Sequence, residues 1–554
     1  MTSKWKSVHA RTAMLASACM IVASTILTPG AAQAAQVPLN LANEQGALWS
    51  CSFNPFNPSS SPYSVGVTYE TLEFVNSLQS GKTTPWLATG STWSNSNKTL
   101  TFPIRSGVKW SDGTSFTAAD VVYTFNLLKK FPALDLNAVW SVLSSVTASG
   151  NDKVVFNFST SAVPYFYYIA GQVPIVSQSV WSKIANPVTD PITKPIGTGG
   201  YLMSKCTPQN IQWTNNTSYW QSGKAVVKTV NMPAFLSNDT CNQYLATGKS
   251  QWGLQFIPSI QSYYVAKKPG NSYWFPPVAN VALFPNLKVA PLNDVAVRKA
   301  ISYGINRTAV SNIGEYGYEP AASQTGIASP TFSSWNSSAA TASAGKSYDP
   351  AKAEAALKAD GYVKDSKGFY AKAGKELAIT LSTNGGYSDW VASMQVVATQ
   401  LGKIGIKVTV APLASNTFYA NLYAGKYELA YNAESGGPTP FYEMRQWMYS
   451  KNSAAIGTAA ASNWERFSSP AVDTLLNQYG STTSAATQLS IVKQLQQIMV
   501  DQLPVIPVLE EVDWFQYNSK AFTGYPTASN PYAQPGLYNI PDWGYVLDNL
   551  KPGV

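Results

Sequence analysis

The chain has 554 residues, of which only 12% are charged, with a formal net charge of +9; these charges are scattered, which excludes a nucleic-acid binder that must neutralise a run of phosphates. Its one histidine, His9, lies in the leader described below, so the mature chain is excluded from Ser-His-Asp and Cys-His catalysis, HExxH zinc sites and histidine pH switching. No GxxxxGKS/T loop occurs, so any ATP hydrolysis tied to its function belongs to a partner.

In chain order, residues 1–34 read as a secretory signal. Lys4, Lys6 and Arg11 form a basic start, Ala13 to Leu27 is apolar, and Ala32-Gln33-Ala34 is a small-x-small cleavage site. Cleavage after Ala34 removes three positive charges and no negative ones, and an exported protein is expected. The alternative is a lipoprotein box at Ala16-Ser17-Ala18-Cys19, which lacks the usual large aliphatic residue at its first place; a lipid on Cys19 would tether the chain to the membrane. No later stretch approaches the roughly 18 uninterrupted apolar residues that span a bilayer. The 29 Asp and Glu residues are few for this length. A surface with few paired carboxylates loses little when they are protonated, and tolerance of acidic surroundings is expected.

Lys98 to Ile104 alternates apolar Leu100, Phe102 and Ile104 with Thr99 and Thr101, which predicts a half-buried strand. Ser106-Gly107 and Ser111-Asp112-Gly113 are turn signals. Thr117 precedes Asp120 by three residues ahead of an apolar run, a capping box for a helix running to about Lys130, where Lys129 and Lys130 suit the negative end of the dipole. Further on, Asn293 or Asp294 can cap a helix whose buried stripe is Val297, Ala300, Ile301, Gly304 and Ile305. Ala321 to Ser347, rich in Ala, Ser and Thr, reads as a loop. Asp349, Pro350 and Gly361 are the cap, first position and terminator of the next helix. Trp390, Met394, Val397, Leu401 and Ile404 repeat at helical spacing before Gly405, and Ile406, Val408 and Val410 then alternate as a strand. Pro504 stops a last helix, after which Val505 to Leu509 run as a buried strand.

Cys51, Cys206 and Cys241 remain after cleavage, so at most one intramolecular bridge forms. Cys206 with Cys241 is the expected pair, because the segment between them could return as a hairpin.

Candidate ligand chemistry rests on aromatic and amide side chains, since the chain holds 17 Trp and 31 Tyr. Flat rings beside Asn and Gln amides suit neutral polar ligands, stacking on sugar rings or peptide planes while amides satisfy hydroxyls or carbonyls. The clusters are Trp49 with Asn54, Trp252 with Gln255, Tyr273 with Trp274, and the stretch from Asn432 through Glu434 to Trp447. Each of these aromatics has core packing as its competing explanation.

The order strand, two turns and capped helix over Pro85 to Phe125 resembles the signature of family 5 extracellular solute-binding proteins, the oligopeptide, dipeptide and nickel-binding type that serves ABC transporters. The blocks at 291–307 and 348–362 and the DQLPVIPVLEEVDWF run are similar to further blocks of that family. The resemblance implies an α/β type II periplasmic-binding-protein fold, two α/β lobes with a hinge plus an extra α+β domain. In numbers it implies 36–70, 196–284 and 507–554 as a discontinuous first lobe, 71–195 as the extra domain and 285–506 as the second lobe. The chain would leave the first lobe near 280 to 290 and return near 505 to 510.

Where peptide-binding relatives carry an Asp-Tyr-x-Asp-Pro-like run to hold a peptide ammonium, this chain has Asn432, Glu434 and Thr439-Pro440. With GKSQWGLQFIP at 248–258, these are similar to the branch that binds cello-type oligosaccharides. Peptide transport is the family default, and neutral oligosaccharide is slightly favoured by the cleft residues; Glu434 could still anchor an ammonium.

The implied partners are an ABC permease and its ATPase subunits and a small oligomeric solute. No cofactor or metal is implied, and missing imidazole argues against the nickel- and haem-carrying branches. A monomer is expected, secreted, periplasmic or at the extracellular face of the cell membrane. The competing functions are a sensing receptor of the same fold and a secreted carbohydrate-active enzyme using a carboxylate pair from Glu434, Glu443, Glu510, Glu511 and Asp513.

Overall fold

Two sheets organise the described residues, 37–43, 46–434 and 436–553 of a computed structural model; the expected signal segment with His9, Cys19 and Ala34 lies outside them. Leu39–Asn43 is the centre of the first sheet, whose order is Asn271–Tyr273, Gln516–Asn518, Trp252–Leu254, Leu39–Asn43, Thr229–Pro233, Asn210–Asn215 and Tyr201–Thr207. The central strand runs parallel to both neighbours, and its LNLAN sequence is almost wholly buried, as expected of a strand covered on both faces. The second sheet is ordered Lys407–Leu413, Ala378–Asn384, Leu429–Ala433, Pro277–Pro285 and Ile506–Val512. The chain thus passes from the first sheet to the second between Tyr273 and Pro277, and back between Val512 and Gln516. These passages lie outside the windows at 280–290 and 505–510, because Pro277–Pro285 and Ile506–Val512 pair with each other inside the second sheet.

A third sheet, Thr92–Ser94, Thr99–Pro103, Lys153–Phe158 and Leu143–Ala148, carries the opening motif. Leu100 and Phe102 point into its core and the Ala118–Lys130 helix covers them, with Phe125 meeting Phe156 edge-on at 4.7 Å. The capping box forms: Thr117 N donates to Asp120 Oδ2 at 2.9 Å and Ala119 N to Thr117 Oγ1 at 3.3 Å. Asp294 caps Val295–Gly304, and Val297, Ala300, Ile301 and Gly304 are buried. Asp349 caps Pro350–Ala359, and Gly361 beyond it takes a left-handed φ of +85° that favours glycine. Ser388–Lys403 leads into Lys407–Leu413 as an α/β unit. The Ala321–Ser347 segment is only partly a loop: Ser337 caps a helix at Ser338–Ala344, and Gln496 fixes its approach through Ser337 N and Trp335 O.

The disulfide joins Cys51 to Cys206, not Cys206 to Cys241. Cys206 sits on the sheet-edge strand Tyr201–Thr207, and the segment before Phe53 is drawn alongside it by Trp49 N donating to Pro208 O. Cys241 is on the Asn238–Ala246 helix, buried with Ala42, Leu245, Ile257 and Tyr264 against the sheet centre. The strands Asn210–Asn215 and Thr229–Pro233 lie between the two positions.

Candidate functional site

A cavity of about 240 Å³ opens where the two larger sheets face each other. Asn43, Leu254, Gln255 and Phe256 reach it from the ends of Leu39–Asn43 and Trp252–Leu254, and Asn238 from the start of a helix on that sheet. Opposite, Asn432, Ala433 and Glu434 come from the end of Leu429–Ala433, and Tyr387, Asp389 and Trp390 from the start of Ser388–Lys403. Strand ends and helix starts converge here because in α/β sheets this is where side chains can project into a crevice. Nine lining side chains are aromatic, the further ones being Tyr63, Tyr419, Tyr423, Trp464, Trp514 and Tyr538. Four carboxyl groups line it, Glu319, Asp389, Glu434 and Glu511, and no Lys or Arg does among the described residues.

Of the side chains expected at the site, Gln255, Asn432 and Glu434 lie together in this cavity. The other five do not line it. Trp49 is a core residue whose Nε1 donates to Met232 O at 2.9 Å. Asn54 is buried and spends its Nδ2 on Pro187 O and Asp190 O, tying its loop to the 187–190 segment. Trp252 faces the sheet core, its Nε1 donating to Pro535 O and its ring packed against Phe515 and Tyr525. Trp274 packs half-buried on that same core. Trp447 is buried in the Pro440–Met448 helix. For the four tryptophans, packing in the core, the competing explanation, accounts for the side chain, and for Asn54 its hydrogen bonds within the loop do.

Residues the sequence did not single out supply most of the wall. Trp390 is legible only as a helix-stripe residue; its place in the first turn puts it at the cavity. Tyr419 and Tyr423, four apart on Ser415–Ala424, and Trp464, beyond the last helix turn of that region, carry no pattern apart from their ring type.

The carboxyls of the cavity share a property that sequence does not show. Glu434 is 5% exposed and neither of its oxygens accepts a hydrogen bond from a described protein group. Burial, with Glu465 beside it, holds its pKa well above the ordinary carboxylate range. Glu319 is likewise pushed up by burial and then by Glu315, Glu511 and Asp389, and its Oε2 has no donor. Glu511 is raised by burial and by Glu443 and Asp513. Asp389 is pushed up to about 6 by burial, less far because Asn238 Nδ2 donates to it at 2.8 Å. Behind the wall, Glu443 accepts from both Asn280 N and Asn280 Nδ2, Glu510 from Ser329 N and Asp513 from Gly536 N, so these three are held as structural groups. Among the described residues no group of three or more His, Cys, Asp or Glu is disposed to hold a metal ion, and no helix is long and apolar enough to cross a membrane.

The family model for bacterial extracellular solute-binding proteins, family 5 Middle, matches residues 82–455. A glutathione-binding protein of Salmonella paratyphi A is 25% identical over 482 residues, 84% of this chain and 85% of that protein. The nickel-binding periplasmic protein of Escherichia coli K12 is 23% identical over 419 residues, 72% of this chain and 76% of the relative. Among solved structures, a periplasmic oligopeptide-binding protein of Thermotoga maritima with mannohexaose bound superimposes with a TM-score of 0.86 at 25% identity, covering 94% of this chain and 99% of that one.

Proposed function

The chain belongs to the bacterial extracellular solute-binding proteins of family 5, and from that premise we propose that the solute it captures for its ABC importer is a short neutral oligosaccharide. Membership makes it a binding protein and not an enzyme, with the permease as the partner the family implies. The observation that carries the sugar reading is the wall of the cavity: nine aromatic side chains, four amides (Asn43, Asn238, Gln255, Asn432) and four carboxyls, without a lysine or arginine among the described residues. Rings stack on the apolar faces of pyranoses, and amides and carboxyls exchange hydrogen bonds with hydroxyls. An anionic solute such as a tripeptide with two free carboxylates would find no cation there to pair with. Its 240 Å³ is somewhat below the about 300–1,000 Å³ usual for small-molecule sites, which favours a compact ligand. The mannohexaose in the Thermotoga protein supports the same class. Gln255, Asn432 and Glu434 are the proposed polar contacts, and Trp390 and Trp464 the proposed stacking platforms.

Closure around the solute would be a two-state shift in which the liganded, closed form is what the permease recognises. A peptide is the second reading, favoured by one observation: the Glu434 carboxyl, buried without a donor, is a place for an ammonium. A thermal-shift and tryptophan-fluorescence screen tests the choice, using cello-, xylo- and manno-oligosaccharides beside di- to pentapeptides. Response to sugars is expected, and peptide binding with silence from every sugar would reverse the assignment.

A further inference from the structure

The cavity brings together more carboxyl groups than a neutral solute needs as acceptors and, among the described residues, no cation to pair them. Glu434 faces Glu465, whose two oxygens also accept no hydrogen bond from a described protein group. Tyr423, Tyr427 and Tyr168 surround it, with Glu443 on the next helix. The cations in this quarter are turned to other work: Arg466 donates to the carbonyls of Trp464 and Tyr423, and Arg445 is enclosed by the rings of Tyr165, Tyr168 and Tyr449. On the other wall Glu319 faces Glu315, Glu511 and Asp389, with Tyr431 and Tyr538 between them. All ion pairs found among the described residues lie elsewhere, on Asp294, Glu354, Asp360 and Glu376.

We propose that Glu319 and Glu434 engage the ligand as uncharged carboxylic acids, each able to donate its O–H and accept through its other oxygen, so that the protein captures a neutral, hydroxyl- and ether-rich solute best in acidic surroundings. This rests on the oligosaccharide reading above and adds the state in which the site works. A buried carboxylate without a cation or donor costs several kcal/mol, and the group takes up a proton instead. Crowded carboxyls reinforce this, since neighbours cannot all ionise within one small cavity. A protonated acid resembles an amide: one donor and one acceptor, matched to a sugar hydroxyl or ring oxygen. Ionisation turns the same group into an acceptor only, and the ligand atoms facing it lose a donor. The direction of the pH effect separates this from a site for cations. A cationic solute would pair with ionised carboxylates and bind more tightly as the pH rises; a neutral one held by carboxylic acids binds less tightly.

The experiment is calorimetric titration of the purified protein with cellobiose and with dilysine at pH 5 and pH 8, each in two buffers of different protonation enthalpy. The sugar is expected to bind at least about tenfold more tightly at pH 5, the change of one pKa unit, and its binding at pH 8 to take up protons. In E434Q and E319Q, whose amides cannot ionise, the ratio of the two affinities should shrink toward one. Proton uptake on the unaltered protein tests the idea even if either variant folds poorly. Sugar binding of equal strength at both pH values without proton uptake would overturn the inference and leave the oligosaccharide reading standing. No sugar binding at either pH, or dilysine bound more tightly at pH 8, would overturn both.

Discussion

Asn238 Nδ2 donates to Asp389 Oδ1 at 2.8 Å, joining the first turn of a helix on the seven-stranded sheet to the first turn of a helix on the five-stranded sheet. Asn238 N also donates to Gly386 O at 3.3 Å, and both side chains are buried at the cavity edge. A hydrogen bond across the mouth of a cleft counts only in the closed form, and one to a carboxylate is worth about 1.5–3 kcal/mol. Asn238→Ala is therefore expected to raise the solute Kd by about ten- to hundredfold and to increase the radius of gyration of the unliganded protein in X-ray scattering. An unchanged Kd would remove this contact from closure.

Two tryptophans separate ligand contact from scaffold. Trp390 is half-buried at the cavity, and Trp390→Ala should weaken binding by about tenfold or more, the loss of one ring's packing and stacking, with little change in melting temperature. Trp252 is fully buried among Phe515 and Tyr525. Trp252→Ala should cost about 3–5 kcal/mol of stability, seen as a large fall in denaturation midpoint. The reverse pattern would show that the cavity has been assigned to the wrong wall.

Stability should fall from acid to mildly alkaline pH. Burial raises Asp389 to about 6, Glu510 and Asp513 to about 7 and Asp542 to about 8. Folded-state values above the unfolded ones mean that the native state binds more protons. Their contribution is complete below about pH 4, where the unfolded groups titrate, and is lost as the pH climbs through about 6 to 8. Thermal melts should give a midpoint several degrees higher at pH 4.5 than at pH 8, and a flat or opposite profile would refute the assignment of these groups as buried acids.

The Cys51–Cys206 bridge spans a sequence separation of 155. On the chain-entropy model a loop of this length stabilises by about 5 kcal/mol, with native strain or residual structure reducing that. Reduction should lower the melting temperature of the unaltered protein and of Cys241→Ser alike, and should do nothing to Cys51→Ser. A reductant effect lost in Cys241→Ser would point to the pairing expected from sequence instead.

Local chemistry was legible because it is decided within a few residues. Thr117 and Asp120 announce a helix start, Asp349-Pro350 and Gly361 bracket another, and Leu100 and Phe102 show which face of their strand is covered. The pairing at one edge of the second sheet was harder to read, since Pro277–Pro285 meets Ile506–Val512 across more than two hundred residues. The cavity was read through residue type alone, which does not tell that Trp252 is turned inward on its strand while Gln255, just past the strand end, is turned to the cavity.

The sequence by itself determined the family, the caps and turns, and a supply of aromatic and amide side chains without histidine after the expected leader, because all of these follow from residue types and short spacings. Only the tertiary structure decided which rings line the cavity, which cysteines are joined, and that Glu319, Asp389, Glu434 and Glu511 share one enclosure. Those outcomes depend on side chains far apart in the chain arriving at the same place, which for the four carboxyl groups is lined by no Lys or Arg among the described residues.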